Sequence, residues 1–254
     1  MIKFFRKIRR KMLSEGRAEK YLKYAIGEIV LVVIGILIAL QINNWNENRK
    51  NRITEAGYYC RILEDLELNE KLIDETSKLA TDKIELCKEL ILDLNNQPNE
   101  RSEILNKFVV ALRQDVFVPS NIAFEEITSS GQLKLLTDLK LKNRLIQHSA
   151  FLNNILNLLQ ENRNEIISRM SDVGLVSDFG YQDIDYLNQE LDKAHIDLLP
   201  KTNWTNDRND PMFVKFQDNL VVFIAMLIRQ KQHLSNLKRE MQEPIEILKG
   251  KKCK

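Results

Sequence analysis

Residues 24–47 read YAIGEIVLVVIGILIALQINNWNE, and the rest of the architecture follows from how this stretch is taken. Residues 29–40 are twelve apolar positions without a charge, and widening the window to 24–42 gives nineteen residues. Such a helix is about 28 Å long, close to the thickness of a bilayer's hydrocarbon core. Tyr24 and Trp45 flank it where aromatic side chains meet the membrane–water interface. Gln41, Asn43 and Asn44 then return the chain to water. A cleaved export signal needs small residues one and three positions before the cut, and with Ala39 in the first place Leu37 fills the second. A soluble core helix would leave the charge step beside it unexplained. The expectation is an uncleaved transmembrane signal anchor over 24–42.

Charge sets its orientation. The net charge is +2, but residues 1–23 hold nine Lys/Arg and two acids, so they carry +7 and the remainder −5. Three further cations, Arg49, Lys50 and Arg52, follow the span within ten residues of Trp45. The positive-inside bias puts residues 1–23 in the cytoplasm and residues 43–254 outside, as a single-pass protein of a bacterial inner membrane with a periplasmic domain. Basic charge confined to one terminal block beside an apolar run suits a membrane surface rather than nucleic acid. MIKFFRKIRRKML, residues 1–13, is amphipathic and can lie among headgroups. Glu28 falls about 6 Å inside the cytoplasmic interface, where it meets headgroups and water or pairs with a partner helix. Gly35 and Ala39 form one small-xxx-small pair, a route to a homodimer.

Eight glycines and five prolines in 254 residues, none collected into a linker, favour long helices. From Ile53 onward apolar or small residues recur at helical steps through Leu66, Ile73, Ala80, Ile84, Cys87, Ile91 and Leu94. The register turns Leu66 and Ile84 inward and leaves Glu67 and Lys83 outside. Residues 95–100, NNQPNE, end this helix. Ser102 and Ser120 are candidate caps of two short helices, with Gly131 closing the second. Thr137 or Asp138 opens a second long helix striped by Leu141, Leu145, Leu152, Ile155, Leu159, Ile166, Met170 and Val173 and ended by Gly174. A loop-rich stretch, 175–209, contains one short helix at about 183–194. Asp210-Pro211 starts a third long helix. Its apolar run, residues 220–228, is too short to span a membrane and reads as buried. The fold class is all-α: one N-terminal transmembrane helix, then an antiparallel bundle of three long helices plus short ones.

The AIGEI, GILIALQ and NNWNE segments, after FFRKIRRKML, resemble the N-terminal signature of an uncharacterised domain-of-unknown-function family common in Bacteroidota. FEEITSSGQLKLLTDLKLKNRLIQHS, residues 124–149, resembles that family's second segment and departs from it at His148 and Ser149, where tyrosines are common. The resemblance implies a single-pass, membrane-anchored helical protein and supplies no activity.

Little chemistry is visible. His148, His195 and His233 lack metal-ligand spacing, no GxSxG or phosphate-binding glycine loop exists, and no cofactor is implied. The run Asn206, Asp207, Asn209, Asp210 is a helix entry rather than a calcium loop, since the glycine and glutamate such a loop needs are missing. Cys60, Cys87 and Cys253 are expected as buried thiols; on one helix Cys60 and Cys87 lie about 40 Å apart and cannot pair. Two surfaces are candidates for a partner. One is TSSGQL with Ser129, Ser130 and Gly131; the other is the 175–209 stretch with Phe179, Tyr181, Tyr186 and Trp204, whose aromatics read first as packing over the bundle end and second as anchors for a partner. The chain is therefore read as a non-enzymatic, periplasmic interaction or scaffold protein touching the bilayer and an envelope protein. The alternative is a sensory ligand-binding bundle that signals through a separate partner chain.

Overall fold

A computed structural model of the chain describes residues 18–113, 115–171 and 179–251. The basic stretch 1–17, Val173 and Gly174 at the expected end of the second long helix, the side chain of Met170, and Cys253 lie outside the described set. The described residues form helices and turns, with no strand among them. The first helix, α1, runs unbroken over Ala18–Asn95, 78 residues. No proline occurs before Pro98 to interrupt its hydrogen-bond ladder. Two compact units divide the chain between Ala56 and Gly57, and α1 contributes to both.

Among the described residues of the first unit, nothing buries the apolar window of the helix. From residue 22 to residue 54 every side chain is exposed except Ala25 and Glu28, which are partly shielded. The second unit begins at Gly57, later than the residue 43 at which the charge and hydropathy pattern suggested a bundle.

That unit is built on α1 from Gly57 onward, α4 (Leu139–Ser171) and α7 (Pro211–Lys249). Lys231 bonds Thr81, Lys238 pairs with Asp74, Gln242 with Glu70 and Lys249 with Glu67, so α7 runs antiparallel to α1. Arg144 meets Glu240 while Asn162 meets the Met226 carbonyl, so α7 is antiparallel to α4 as well. The fourth side is a composite of α2 (Arg101–Leu112), an extended segment, and α3 (Ile122–Ser129). It runs back along α1: Lys107 pairs with Asp93, Lys83 with Asp115, and Arg61 with Glu126. Four rows alternating in direction bury three apolar clusters along their length.

Local signals account for the starts of the second and third long helices. Asp138 accepts from Leu141 N at 3.0 Å to cap α4, and Asp210 accepts from Met212 N at 2.8 Å ahead of Pro211. Two expected caps are corrected. Helix α2 already begins at Arg101, so Ser102 lies inside it, and Glu100 at the N-cap makes no side-chain bond. Ser120 does not cap α3; its hydroxyl donates to Asp65 at 2.5 Å, and the other Asp65 oxygen accepts from Ala123 N at 2.9 Å. One turn along, Asn69, 1% exposed, brackets the Ser120 backbone, accepting from its N–H and donating to its carbonyl, both at 2.7 Å. An acid and an amide on one face of α1 thus hold a loop about fifty residues away.

Most positions of the stripes are buried, but Ile53 is 64% exposed and Ile91 and Leu159 are only partly buried. Leu66, Ile73, Ala80, Ile84, Cys87 and Leu94 are buried, as are Leu141, Leu145, Leu152, Ile155 and Ile166. Tyr58, Tyr59 and Ile62 join them. Lys83 departs from the outward position: its side chain is only 13% exposed. His148, 3% exposed, contacts Glu240 at 2.5 Å, and Arg144 holds the same carboxylate. Pro244 lies inside α7 without ending it, and the helix continues to Lys249.

The far end of the bundle is closed by the loop-rich stretch. In place of one short helix it forms two, α5 (Asp185–Glu190) and α6 (Lys193–Leu198), with single 3-10 turns at Tyr181–Asp183 and Trp204–Asn206. Phe108 and Phe216 have ring centroids 4.6 Å apart, Trp204 and Phe216 5.0 Å, and Phe179 and Trp204 5.6 Å. The Trp204 indole N–H donates to the Phe179 carbonyl at 2.9 Å, so its polar atom is satisfied in the core. Gly180 has φ +95°, and a Cβ there would meet Arg101 Nε at 2.8 Å. Only glycine lets the Arg101 guanidinium lie across the turn and pair with Asp183.

The expectation of three buried thiols is corrected at one position. Cys87 is buried and free, and burial pushes its thiol up to about 11. Cys60 is disulfide-bonded.

Candidate functional site

Helices α1 and α7 are both long and apolar enough, by length and composition, to cross a membrane. Their surroundings differ. In α7 the apolar run belongs to the bundle, with Leu220, Phe223 and Leu227 buried against it. In α1 none of the apolar window is buried. Ile29 is 63% exposed, Leu31 71% and Trp45 66%, a contiguous apolar surface that water does not tolerate unless something covers it. Tyr24 and Trp45 bracket it and are exposed, and Glu28 is partly shielded. Gly35 and Ala39, one turn apart, are exposed, and a Cβ at Gly35 would meet nothing within 4 Å. The N-terminal apolar segment of α1 is therefore the candidate membrane anchor.

The two sequence-derived partner surfaces lie apart. Thr128, Ser129 and Ser130 return their hydroxyls to α3 carbonyls: Thr128 to Phe124 at 2.8 Å, Ser129 and Ser130 to Glu126 at 3.2 and 2.7 Å. Gly131 follows with φ +68° and open space around it, so conformation alone asks for glycine. Ser129, Ser130 and Gly131 are exposed. Beside them Glu126 takes bonds from Arg61 at 2.5 Å and Tyr58 at 3.1 Å, and these donors, Arg61 first, hold its carboxyl below the usual range. The second surface sits beside α2, about 40 Å farther along α1. There Phe179 and Trp204 are spent on the core, each 1% exposed. Tyr181 is half-buried against Phe179, and burial raises its phenol. Tyr186 remains 55% exposed over a shallow groove with Val109, Val110 and Arg113. Of the four aromatic candidates, Tyr186 alone is displayed.

A third feature has no signal in the sequence. Midway along the bundle a cavity of about 170 Å³ is lined by Asp115, Phe117, Leu156, Asn162, Arg163 and Gln230, among others. Asn162 is 5% exposed and donates to the Met226 carbonyl at 3.0 Å, yet its Oδ1 has no partner. Arg163 Nε is likewise buried and unpaired. Lys83, held by Asp115 and the Arg113 carbonyl, closes an adjoining recess. Polar groups inside an otherwise apolar bundle cost stability unless something satisfies them. No cluster of His, Cys, Asp and Glu fit for a metal occurs among the described residues.

Residues 28–146 match the model of a family of unknown function, DUF6090. The match begins at Glu28 inside the apolar run and ends at Ile146 within α4, so it takes in most of both stretches that carried the resemblance. It agrees with an uncharacterised domain family. No curated protein and no solved structure matches the chain.

Proposed function

We propose, with the family match as premise, that the chain is a single-pass inner-membrane protein. Residues 24–42 span the bilayer, the N-terminus is cytoplasmic, and the helical bundle serves outside as an interaction or scaffold module. The observation that carries this is the bare apolar length of α1, which lipid would cover. Burying the apolar residues of 24–42 in hydrocarbon outweighs the cost of one interfacial glutamate. Orientation rests on the nine cations before the span. The exposed turn at Ser129, Ser130 and Gly131 and the groove under Tyr186 are the surfaces offered to an envelope protein. A reporter fused after Lys254 tests the topology: alkaline phosphatase should be active and a cytosolic fluorescent reporter dark. The reverse pattern, or recovery of the chain in the supernatant after membranes are sedimented, overturns the proposal.

The cavity beside Asn162 and Arg163 favours a second reading, a bundle that binds a small polar ligand and reports it through another chain. A ligand that binds only the folded state raises the melting temperature, so a thermal-shift screen of polar metabolites separates the two. A hit lost in Asn162→Leu supports the sensory reading.

A further inference from the structure

We infer that the cavity midway along the bundle binds a free α-amino acid with a short aliphatic side chain, its carboxylate on Arg163 and its ammonium on Asn162. The assignment deepens the ligand-binding reading given above and rests on it.

Two unmatched groups define what the cavity accepts, and they are opposite in kind. Asn162 is 5% exposed, and its Nδ2 donates to the Met226 carbonyl of α7 at 3.0 Å. A backbone carbonyl can only accept, so that bond fixes which way the amide faces. The atom left over is Oδ1, a buried acceptor without a partner. The next residue, Arg163, leaves Nε buried and unpaired, and a guanidinium can only donate. Both side chains line the cavity. A ligand must therefore bring a donor to one and an acceptor to the other. A carboxylate alone leaves Asn162 unmatched, and an amine alone leaves Arg163 unmatched.

Charge and size narrow the class. Hydrogen bonds between charged groups are about twice as strong as neutral ones, so the Arg163 cation favours a carboxylate over an amide oxygen. Asp115, held by Lys83, adds a carboxylate to the lining and favours an ammonium over a neutral N–H. The cavity measures about 170 Å³. A cavity of about 150 Å³ accepts a molecule of benzene's size, whereas drug-sized ligands need about 300 Å³ or more. Alanine, valine and leucine fall in that range. Phe117, Leu156 and Leu159 supply the apolar part of the wall, against which a short aliphatic side chain can rest.

The test is ligand-dependent melting of the full chain in detergent, read by intrinsic fluorescence. Valine is the probe, and isovalerate and isobutylamine are its single-ended analogues. Valine should raise the melting temperature, and each analogue should bind at least about tenfold more weakly, because each leaves one buried polar group unmatched. Arg163→Met and Asn162→Leu should each weaken valine by at least about tenfold. Arg163 is partly exposed, so Arg163→Met keeps the test decisive if Asn162→Leu does not fold. No shift with valine, alanine or leucine overturns the assignment, as does equal binding of either analogue or binding unchanged in the variants. Where another polar metabolite stabilises the chain and loses its effect in Asn162→Leu, the amino-acid assignment has failed and the ligand-binding reading stands. Where no metabolite stabilises it, both have failed.

Discussion

Replacing Asn69 with alanine removes both hydrogen bonds that fasten Ser120 to α1. Each is 2.7 Å long, and Asn69 is 1% exposed. A typical hydrogen bond is worth about 1 kcal/mol net, and leaving its backbone partner unpaired adds about 1–3 kcal/mol. Ser120 is partly reached by water, which can take over some of that pairing, so the expected cost is about 2–3 kcal/mol rather than the full sum. That is a substantial part of the roughly 5–15 kcal/mol that holds a domain folded. With a urea slope of about 2 kcal/mol/M the midpoint should fall by about 1–1.5 M, read by circular dichroism on the full chain in detergent. Asp65→Ala should cost about 1–2 kcal/mol, the scale of a lost helix cap. The double variant should cost less than the two together, because the segment released by either change has less left to lose. Losses below about 0.5 kcal/mol for Asn69→Ala, or strict additivity, would refute the claim that this pair sets the position of the fourth row.

Leu66→Asp and Ile84→Asp should abolish cooperative unfolding, while Glu67→Ala costs less than about 1 kcal/mol because its partner Lys249 is exposed. Lys83→Ala should fall between, at about 1–3 kcal/mol, since it leaves Asp115 and the Arg113 carbonyl without their shielded donor. Trp204→Ala should cost about 3–5 kcal/mol in the same urea assay by opening the aromatic end of the core, and Tyr186→Ala almost nothing. Lys251 lowers the Asp138 carboxyl, and Arg61 with Tyr58 lowers Glu126. Their ionised forms therefore favour the fold: the contribution is complete above the unfolded values near 4 and is lost as pH falls through the folded ones. Melting temperature should drop below about pH 4, and Lys251→Met should flatten part of that drop; an unchanged profile counts against the Asp138 clamp.

What could be read in the chain was local. Asp210-Pro211 and Asp138 announce helix starts because cap and helix are neighbours in sequence. The absence of proline before Pro98 left α1 free to run as one helix. The interior stripes followed from spacing alone. The rest depended on partners far away. Asp65 and Asn69 look like polar lapses on a helix face until Ser120 is beside them. Lys83 looks solvent-facing until Asp115 folds over it. Ser102 has the chemistry of a cap, but Arg101, drawn to Asp183 and Thr202, is already helical, so the helix starts two residues earlier than a Ser102 cap would set it. The 175–209 aromatics were legible as a group, but not which would be used inside: Trp204 and Phe179 fill the core, and Tyr186 stays out. The cavity beside Asn162 arises from three rows meeting, and no one segment encodes it.

The chain's two tryptophans sit in opposite settings, one in each unit. Trp204 is sealed among phenylalanines with its N–H bonded, and Trp45 stands bare beside the apolar run. They act as two built-in lamps with separate switches. Emission from Trp204 should be blue and indifferent to a water-borne quencher until the bundle melts. Emission from Trp45 should respond to brominated lipid and register where the rod meets its surroundings. Swapping either for phenylalanine leaves an optical readout of the other process alone, so embedding and unfolding can be followed in one vesicle preparation without an added dye.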